Sequence, residues 1–474
     1  MTTTNRQPKV IVVGAGMGGT LMAIFLARRG YQVEVYERRQ DLRTVDDNSG
    51  RSFKMTLSPR GISVLKQAEV FDDILPLCVV LRGRMVHALD GSLAFHTYGK
   101  NDDEVLYSVT RNKVNATLIE CAHRYPQIKF YFEHKCLSVD KERAEVILVN
   151  ENTGENVIAN GDFVVGADGC FSTVRNQIQR GERADYHQQF LPYGYKELNI
   201  PEGKNGEFLI DKNSLHVWAR KGFLLLALPN HEGSFNCMCV MPYEGPVSFE
   251  KLTDRRQVEA LFNQHFHDIY ELVPGLVDEF LTVPTGHSLT VSTYPWHFQD
   301  KVVLVGDSCH SVVPYYGQGM IAAFEDCAYL DQCLGQWPGD LNRAFSEYQE
   351  HRKPHIDVLA RLSLDNFEEL RMRAESPRVL ARKKVDIFLN RLFPSSWLPA
   401  YTLIAHTNIP FGDAMARLRR QNRVGRWLGV DVATWVLASF ISLRRGLRGL
   451  FGARPRVAER PPITGEVKAE SVSS

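Results

Sequence analysis

The sequence predicts an α/β protein: a Rossmann-like nucleotide-binding domain, an inserted β-sheet domain and a helical C-terminal region. Three observations carry this. The first forty residues run strand, glycine turn, helix, strand. A block rich in short apolar strands fills 185–300. Beyond Ala322 long stretches show helical periodicity. The expected division is 1–184 and 301–345 for the nucleotide-binding domain, 185–300 for the inserted sheet, 346–426 for the helical region and 427–474 for an apolar and basic tail.

Taken in order, "KVIVV" is a continuous apolar run suited to a buried parallel strand. "GAGMGG" is the turn, "TLMAIFLARRG" a helix closed by Gly30, and "QVEVYE" the next strand. "RMVHALDGSLAFHTYG" reads as a hairpin turning at Asp90-Gly91, "NKVNATLIECAHRY" as a helix, and "KFYFEHKCLSV" and "AEVILVN" as strands. "DFVVGADGCFSTVR" is a strand delivering a glycine turn. "HVWAR", "GFLLLALPN" and "FNCMCVMPY" supply the second sheet, and "KVVLV" returns to the first. Pro354 is expected to kink or begin a helix, and "TGEVKAESVSS" to be disordered.

With 474 residues the chain is long enough for two or three domains. Its 56 basic and 55 acidic residues give a net charge of +1, which argues against a nucleic-acid binder. Nine cysteines are an awkward number for a full disulfide framework, and a reducing, cytoplasmic setting fits best. Cys237 and Cys239 share one face of a strand and read as packed thiols; no metal site is expected. The stretch 427–443 is seventeen residues long and interrupted by Asp431, short of the ~20 apolar residues a spanning helix needs. With its Arg-rich flank, 427–452 is either a peripheral membrane anchor or a buried terminal helix.

Gly14-x-Gly16-x-x-Gly19 sits between strand and helix. Gly14 permits the tight turn, Gly16 lets backbone approach a pyrophosphate, and Gly19 lets the helix pack on the strand. The helix N-terminus then offers free amides to phosphate. Glu37, at the end of the second strand, is placed to accept from ribose hydroxyls, which favours FAD or NAD over NADP. A second glycine-marked stretch, "GDSCHSVVPYYGQGM", supplies Asp307 and a helix start at Gly317, Gly319 and Met320. A third, "GADGCFSTVR", brings Asp168, Gly169 and Arg175. Together they read as a clamp around an extended flavin cofactor. His310 reads as a structural hydrogen-bonding residue.

In this order the motifs GAGMGG, GADGCFSTVR and GDSCHSVVPYYGQGM resemble those of the single-component FAD-dependent aromatic hydroxylases. "RSFKMTLSPRG", "GRMVHALDG", "SVTRNKVN", "DYHQQFLPYGYKELNIP", "LDNFEELRMRA" and "PSSWLPAYT" extend the resemblance from Lys9 to Tyr401. It implies that NADPH transiently reduces a tightly bound FAD. Dioxygen then adds as a flavin C4a-hydroperoxide, which hydroxylates a small aromatic amino acid ortho to its ring amine. No side chain is expected to be catalytic in its own right; the flavin carries the chemistry, and the protein positions and excludes water. The resemblance matches Arg84, Tyr98, Asn366 and Tyr401 to contacts with the substrate carboxylate, where an arginine forms two parallel hydrogen bonds. Glu369 shares a helix face with Asn366 at i,i+3 and is taken with it as a substrate-binding candidate, and the resemblance makes Tyr315 and Tyr316 an aromatic wall. Cofactor contacts are expected at Gly14, Gly16, Met17, Gly19, Glu37, Arg38, Thr56, Arg111, Asp168, Asp307, Gly317, Gly319, Met320 and Ile321.

The hairpin supplies a geometric check. A three-residue loop ending at Gly91 puts Arg84 and Tyr98 on one face as diagonal neighbours, whereas a two-residue loop puts them on opposite faces. Two positions depart from the family pattern: Lys54 and Ile321 stand where asparagines are usual, both expected near the flavin. A hydroxylase of a modified aromatic amino acid, or a flavoprotein reductase that inserts no oxygen, are the alternatives.

Overall fold

Apolar, β-branched runs such as Lys9–Val13 cannot face water on either side, and they pair in parallel at the centre of a six-stranded sheet. The computed structural model describes residues 7–44, 54–98, 104–373 and 376–450. The expected disordered end, and the last two residues of the 427–452 segment, lie outside them.

In this first sheet Lys9–Val13 lies between Gln32–Tyr36 and Phe163–Gly166, with Val12 opposite both Val35 and Val165. Val302–Leu304 pairs beyond Phe163–Gly166, and Ile128–Tyr131 beyond Gln32–Tyr36, all in parallel. Parallel pairing brings Val13, Tyr36, Gly166 and Leu304 to one edge of the sheet. The loops that follow them are therefore neighbours in space, although they come from four distant parts of the sequence. The run "KFYFEHKCLSV" forms two strands rather than one, Ile128–Tyr131 and His134–Asp140, broken at Glu133 with φ of 61°.

The second sheet has eight strands and takes in more of the chain than 185–300. Its centre is formed by Asp185–Ile200, Phe235–Pro242, Phe223–Pro229 and Ser214–Arg220. The hairpin Gly83–His87 and Leu93–Thr97 completes one side. Along Phe235–Pro242 the side chains alternate. Cys237, Cys239 and Met241 pack with Trp218 under the helices Arg255–His265, His267–Leu272 and Leu276–Thr282. Met238 and Val240 face the other way, toward Tyr315 and Phe367. The cysteine pair is thus packed as its spacing predicts. All nine cysteines are free, and each is buried or half-buried.

Two findings concern the helices. Of the two outcomes expected at Pro354, it does not begin a helix; it lies inside Leu341–Arg373. Tertiary packing over this length outweighs the one lost hydrogen bond. The apolar stretch 427–443 is not one segment either. Trp427 ends the helix Phe411–Trp427, and Gly429, with φ of 74°, turns the chain into Val430–Leu450. The two meet at 77°, and no single helix among the described residues is long and apolar enough to cross a membrane.

A buried charge cluster ties these parts together. Asp326, fully buried on the helix Gly319–Gln336, accepts from Arg352 Nε at 2.8 Å and from the Gly306 amide at 3.1 Å. It also lies 2.5 Å from His310 Nε2. Arg352 reaches Glu325 at 3.1 Å, and Glu325 accepts from Arg60 at 2.6 Å. Arg60 in turn donates to the carbonyls of Ile404 and Ile409. Burial alone would raise the Asp326 carboxyl, but the charges of His310 and Arg352 outweigh it and hold the pKa below the usual range. Removing the carboxylate strands a buried guanidinium, so Asp326→Ala should lower unfolding stability by about 3–5 kcal/mol in urea titration.

Candidate active site

The loops at the shared edge of the first sheet and the cavity-facing side of the second enclose a cavity of about 290 Å³. At one end stands the glycine turn. Gly14 has φ of 103°, and a Cβ there would sit 2.4 Å from the Ala167 carbonyl. A Cβ at Gly19 would lie 2.0 Å from the Gly14 carbonyl, so this glycine is fixed by close packing. At Gly16, by contrast, a Cβ would meet no protein atom within 4 Å; the backbone there opens onto the cavity. The helix Met17–Arg28 begins here with no side-chain cap, leaving its first amides to a ligand.

Glu37 accepts from the Ala15 amide at 2.9 Å and from Arg39 through backbone and side chain at 3.0 Å. These bonds outweigh its burial and hold the carboxyl below its usual range. Asn115 Nδ2 donates to the Ala15 carbonyl at 3.0 Å and so fixes the turn from the other side. Sequence reasoning missed Asn115, although it lies in the quoted "SVTRNKVN". Arg38, also expected at the cofactor, is exposed and does not line the cavity; its exposed neighbour Arg39 makes the contact with Glu37.

Of the expected cofactor contacts, Gly16, Met17, Gly19, Thr56, Arg111, Asp307, Gly317, Gly319 and Met320 line the cavity. Thr56 donates to the Gly317 carbonyl at 3.3 Å, joining the "RSFKMTLSPRG" stretch to the last motif. Asp307 is open to the cavity and walled by protein on its other sides, which pushes its carboxyl up. Gly14 and Glu37 shape the turn from behind. Asp168 is not a lining group: its carboxylate accepts from Ser172 at 2.5 Å and from the Thr173 and Val174 amides, capping the helix Thr173–Gln179. Arg175 cross-links two motif loops, donating to the carbonyls of Cys170 and Ser308 at 2.9 Å. Ile321 also does not reach the cavity. It is fully buried, and a Cβ at Gly61 would approach its Cγ1 to 3.0 Å. Lys54 does line the cavity, with its ammonium bonded to Thr110 Oγ1.

The hairpin loop contains three residues, Leu89 to Gly91, with Gly91 at φ of 77°. Arg84 therefore pairs with His96, and Tyr98, two residues on, is its diagonal neighbour. The Arg84 guanidinium carbon lies 4.8 Å from the Tyr401 ring centre and 5.6 Å from that of Tyr98. Arg84 Nε and Tyr98 Oη are buried and have no hydrogen-bond partner among the described residues. Tyr98 and Tyr316 stack on either side of Tyr401 at 5.4 and 5.8 Å. Burial pushes all three phenols up, so they stay neutral donors. Tyr315 lines the cavity too, but its ring stacks on Phe367 at 4.0 Å and its hydroxyl is bonded to Ser288. Asn366 and Glu369 are not among the lining residues. Asn366 donates to the Tyr315 carbonyl at 2.7 Å, and Glu369 pairs with Lys383 at 3.0 Å.

With this geometry established, the comparisons are specific. The family described as "FAD binding domain" matches residues 7–362. A kynurenine 3-monooxygenase from Salinispora tropica is 43% identical over 445 residues, covering 94% of this chain and 98% of the relative. The chain belongs to the kynurenine 3-monooxygenase family. Another member, from Flavobacterium johnsoniae, is 39% identical over 86% of this chain and 91% of its own. Among solved structures, 2-methyl-3-hydroxypyridine-5-carboxylic acid oxygenase shares the fold with a TM-score of 0.63 at 20% identity, covering 79% of this chain and 95% of its own. So does p-nitrophenol 4-monooxygenase from Pseudomonas putida, with a TM-score of 0.62 at 18% identity, over 81% and 93%. Kynurenine 3-monooxygenases use FAD, and the open backbone at Gly16 and the uncapped helix beside it fit its pyrophosphate.

The strand that carries Arg84 is held at its far end by His87. His87 Nδ1 lies 2.7 Å from an Asp268 carboxylate oxygen, and its Nε2 lies 2.8 Å from His216 Nδ1. His216 Nε2 faces the Asp211 carbonyl at 2.8 Å and so carries that ring's proton. Burial, then the charge of His87, pushes His216 down to about 4. A histidine that stays neutral in the fold and protonates when unfolded stabilises the protein fully above its unfolded pKa of ~6.5. That contribution is lost as the pH falls toward 4. Stability in urea should therefore drop between pH 7 and pH 5, and His216→Gln, which keeps one donor and one acceptor, should flatten the slope.

Proposed function

We propose that this chain hydroxylates the ring of L-kynurenine ortho to its amine, consuming NADPH and dioxygen. The observation that carries the proposal is the buried, unpartnered Arg84 Nε and Tyr98 Oη beside Tyr401, in one cavity with the glycine cradle. A buried guanidinium N–H and a buried phenol left without a well-formed hydrogen bond are costly to keep, and a carboxylate satisfies both. Bound FAD supplies the oxygen-inserting chemistry. The chain's own residues hold the carboxylate through Arg84, Tyr98 and Tyr401. Leu215, Leu226, Leu228 and Met238 form a dry wall under the rest of the substrate. Asn366 supports this arrangement by fixing the backbone at Tyr315. Because the ring amine already activates the neighbouring carbon, no side-chain base is assigned.

The test is anaerobic flavin reduction by NADPH with and without L-kynurenine, followed by oxygen and product mass. Faster reduction with kynurenine and a product heavier by one oxygen support the reading. No acceleration and no product overturn it. Arg84→Ala should raise the kynurenine KM about 10- to 100-fold, and Tyr98→Phe about tenfold or less, the loss expected for charged and neutral hydrogen bonds.

The C-terminal helix offers a lipid-facing stripe. Val432, Trp435, Val436, Phe440 and Leu443 are exposed at helical spacing, and Arg444, Arg445 and Arg448 follow in sequence. In this reading the stripe lies in the plane of an anionic bilayer. The protein should float with vesicles containing acidic lipid, and Trp435→Ser with Phe440→Ser should abolish it.

A further inference from the structure

One polar side chain in the cavity wall has no role in the reading above. Asn236 is 4% exposed and lines the cavity, and its Nδ2 has no hydrogen-bond partner among the described residues. Leaving a buried amide unpaired is costly. Its nearest lining neighbours across and along the strands, Leu228 and Met238, offer it nothing.

The sheet register gives its place. Arg84 pairs with Leu215, and Leu228 pairs with Asn236. His216 lies opposite Ala227, so Leu215 and Leu228 are the next pair in that register. Arg84, Leu215, Leu228 and Asn236 thus form one row across four adjacent strands, and all four line the cavity. Three strand spacings of ~4.8 Å separate the ends of the row by about 14 Å. The wall is a cation, two leucines and an amide.

We infer that Asn236 recognises the aryl ketone of the substrate, with Nδ2–H donating to the ketone oxygen. This rests on the kynurenine reading. With its carboxylate on Arg84, kynurenine has one strong acceptor left, the ketone, and it lies along the row toward Asn236. The consequence reaches the reacting carbon. In kynurenine the ring amine donates internally to the same ketone oxygen, and the ketone is conjugated with the ring. Fixing that oxygen therefore fixes the ring plane and the side on which the amine lies, and so where the one free carbon ortho to the amine is presented. Asn236 is a specificity-determining residue, and a site that hydrogen-bonds a substrate group rejects analogues lacking it.

The test compares wild type and Asn236→Leu as FAD-loaded enzymes. The ligands are L-kynurenine and its ketone-free analogue 2-amino-4-(2-aminophenyl)butanoate. Binding is read from the flavin absorbance change, and coupling from product formed per NADPH consumed. The expected result is about tenfold weaker kynurenine binding and lower coupling in Asn236→Leu, with analogue binding unchanged or improved. Unchanged analogue binding also shows that the variant is folded. Equal losses for both ligands, or no loss for either, overturn the role of Asn236 and leave the kynurenine reading intact. A wild-type enzyme that responds to neither compound overturns that reading, and this inference with it.

Discussion

Asp326 is the constraint on which the rest depends. It is fully buried, yet it binds the Gly306 amide, His310 and Arg352 at once. Through Arg352, Glu325 and Arg60 the same cluster reaches the carbonyls of Ile404 and Ile409, only a few residues beyond Tyr401. A carboxylate in such a place must be matched group for group, since any missing partner leaves a charge without solvent. The loop bearing Asp307 and the segment bearing Tyr401 are thus held to one helix. Cofactor cradle and substrate pocket are positioned by a single set of ion pairs.

The parallel sheet does the complementary work. Its strands bring the loops after Val13, Tyr36, Gly166 and Leu304 together by register alone, and glycine then decides what each loop does. At Gly14 and Gly19 the absent side chain makes room for protein; at Gly16 it makes room for a ligand. The second sheet adds a flat wall whose polar groups are spaced by strand separation. Hydroxylation needs a rigid grip on a small, planar molecule, and such a wall suits it.

Much of this was legible in the sequence because it is local. Glycine spacing, strand alternation around Cys237 and Cys239, and the three-residue hairpin loop are fixed by near neighbours. What was not legible depends on direction and distance. Ile321 belongs to a cavity-facing motif, but its position on the helix turns it toward Gly61. Asp168 has the right residue type for a cofactor contact, yet the next helix start claims its oxygens. Pro354 carries a strong local signal that packing over Leu341–Arg373 overrides. Gly429 sits inside an apolar run of sequence, yet its left-handed backbone breaks that run in two. Asn236 could not be singled out, because only the register reveals that it shares a row with Arg84.

The cysteines acquire a different meaning in this setting. Burial raises every one of the nine thiols, Cys121 to about 11 and Cys78, Cys136, Cys239 and Cys333 to about 12. Thiolate, not thiol, is the form that oxidants attack. Six of the nine are buried outright and Cys78, Cys136 and Cys170 are half-buried, so the packing that fills the core also keeps its sulfur in the less reactive form.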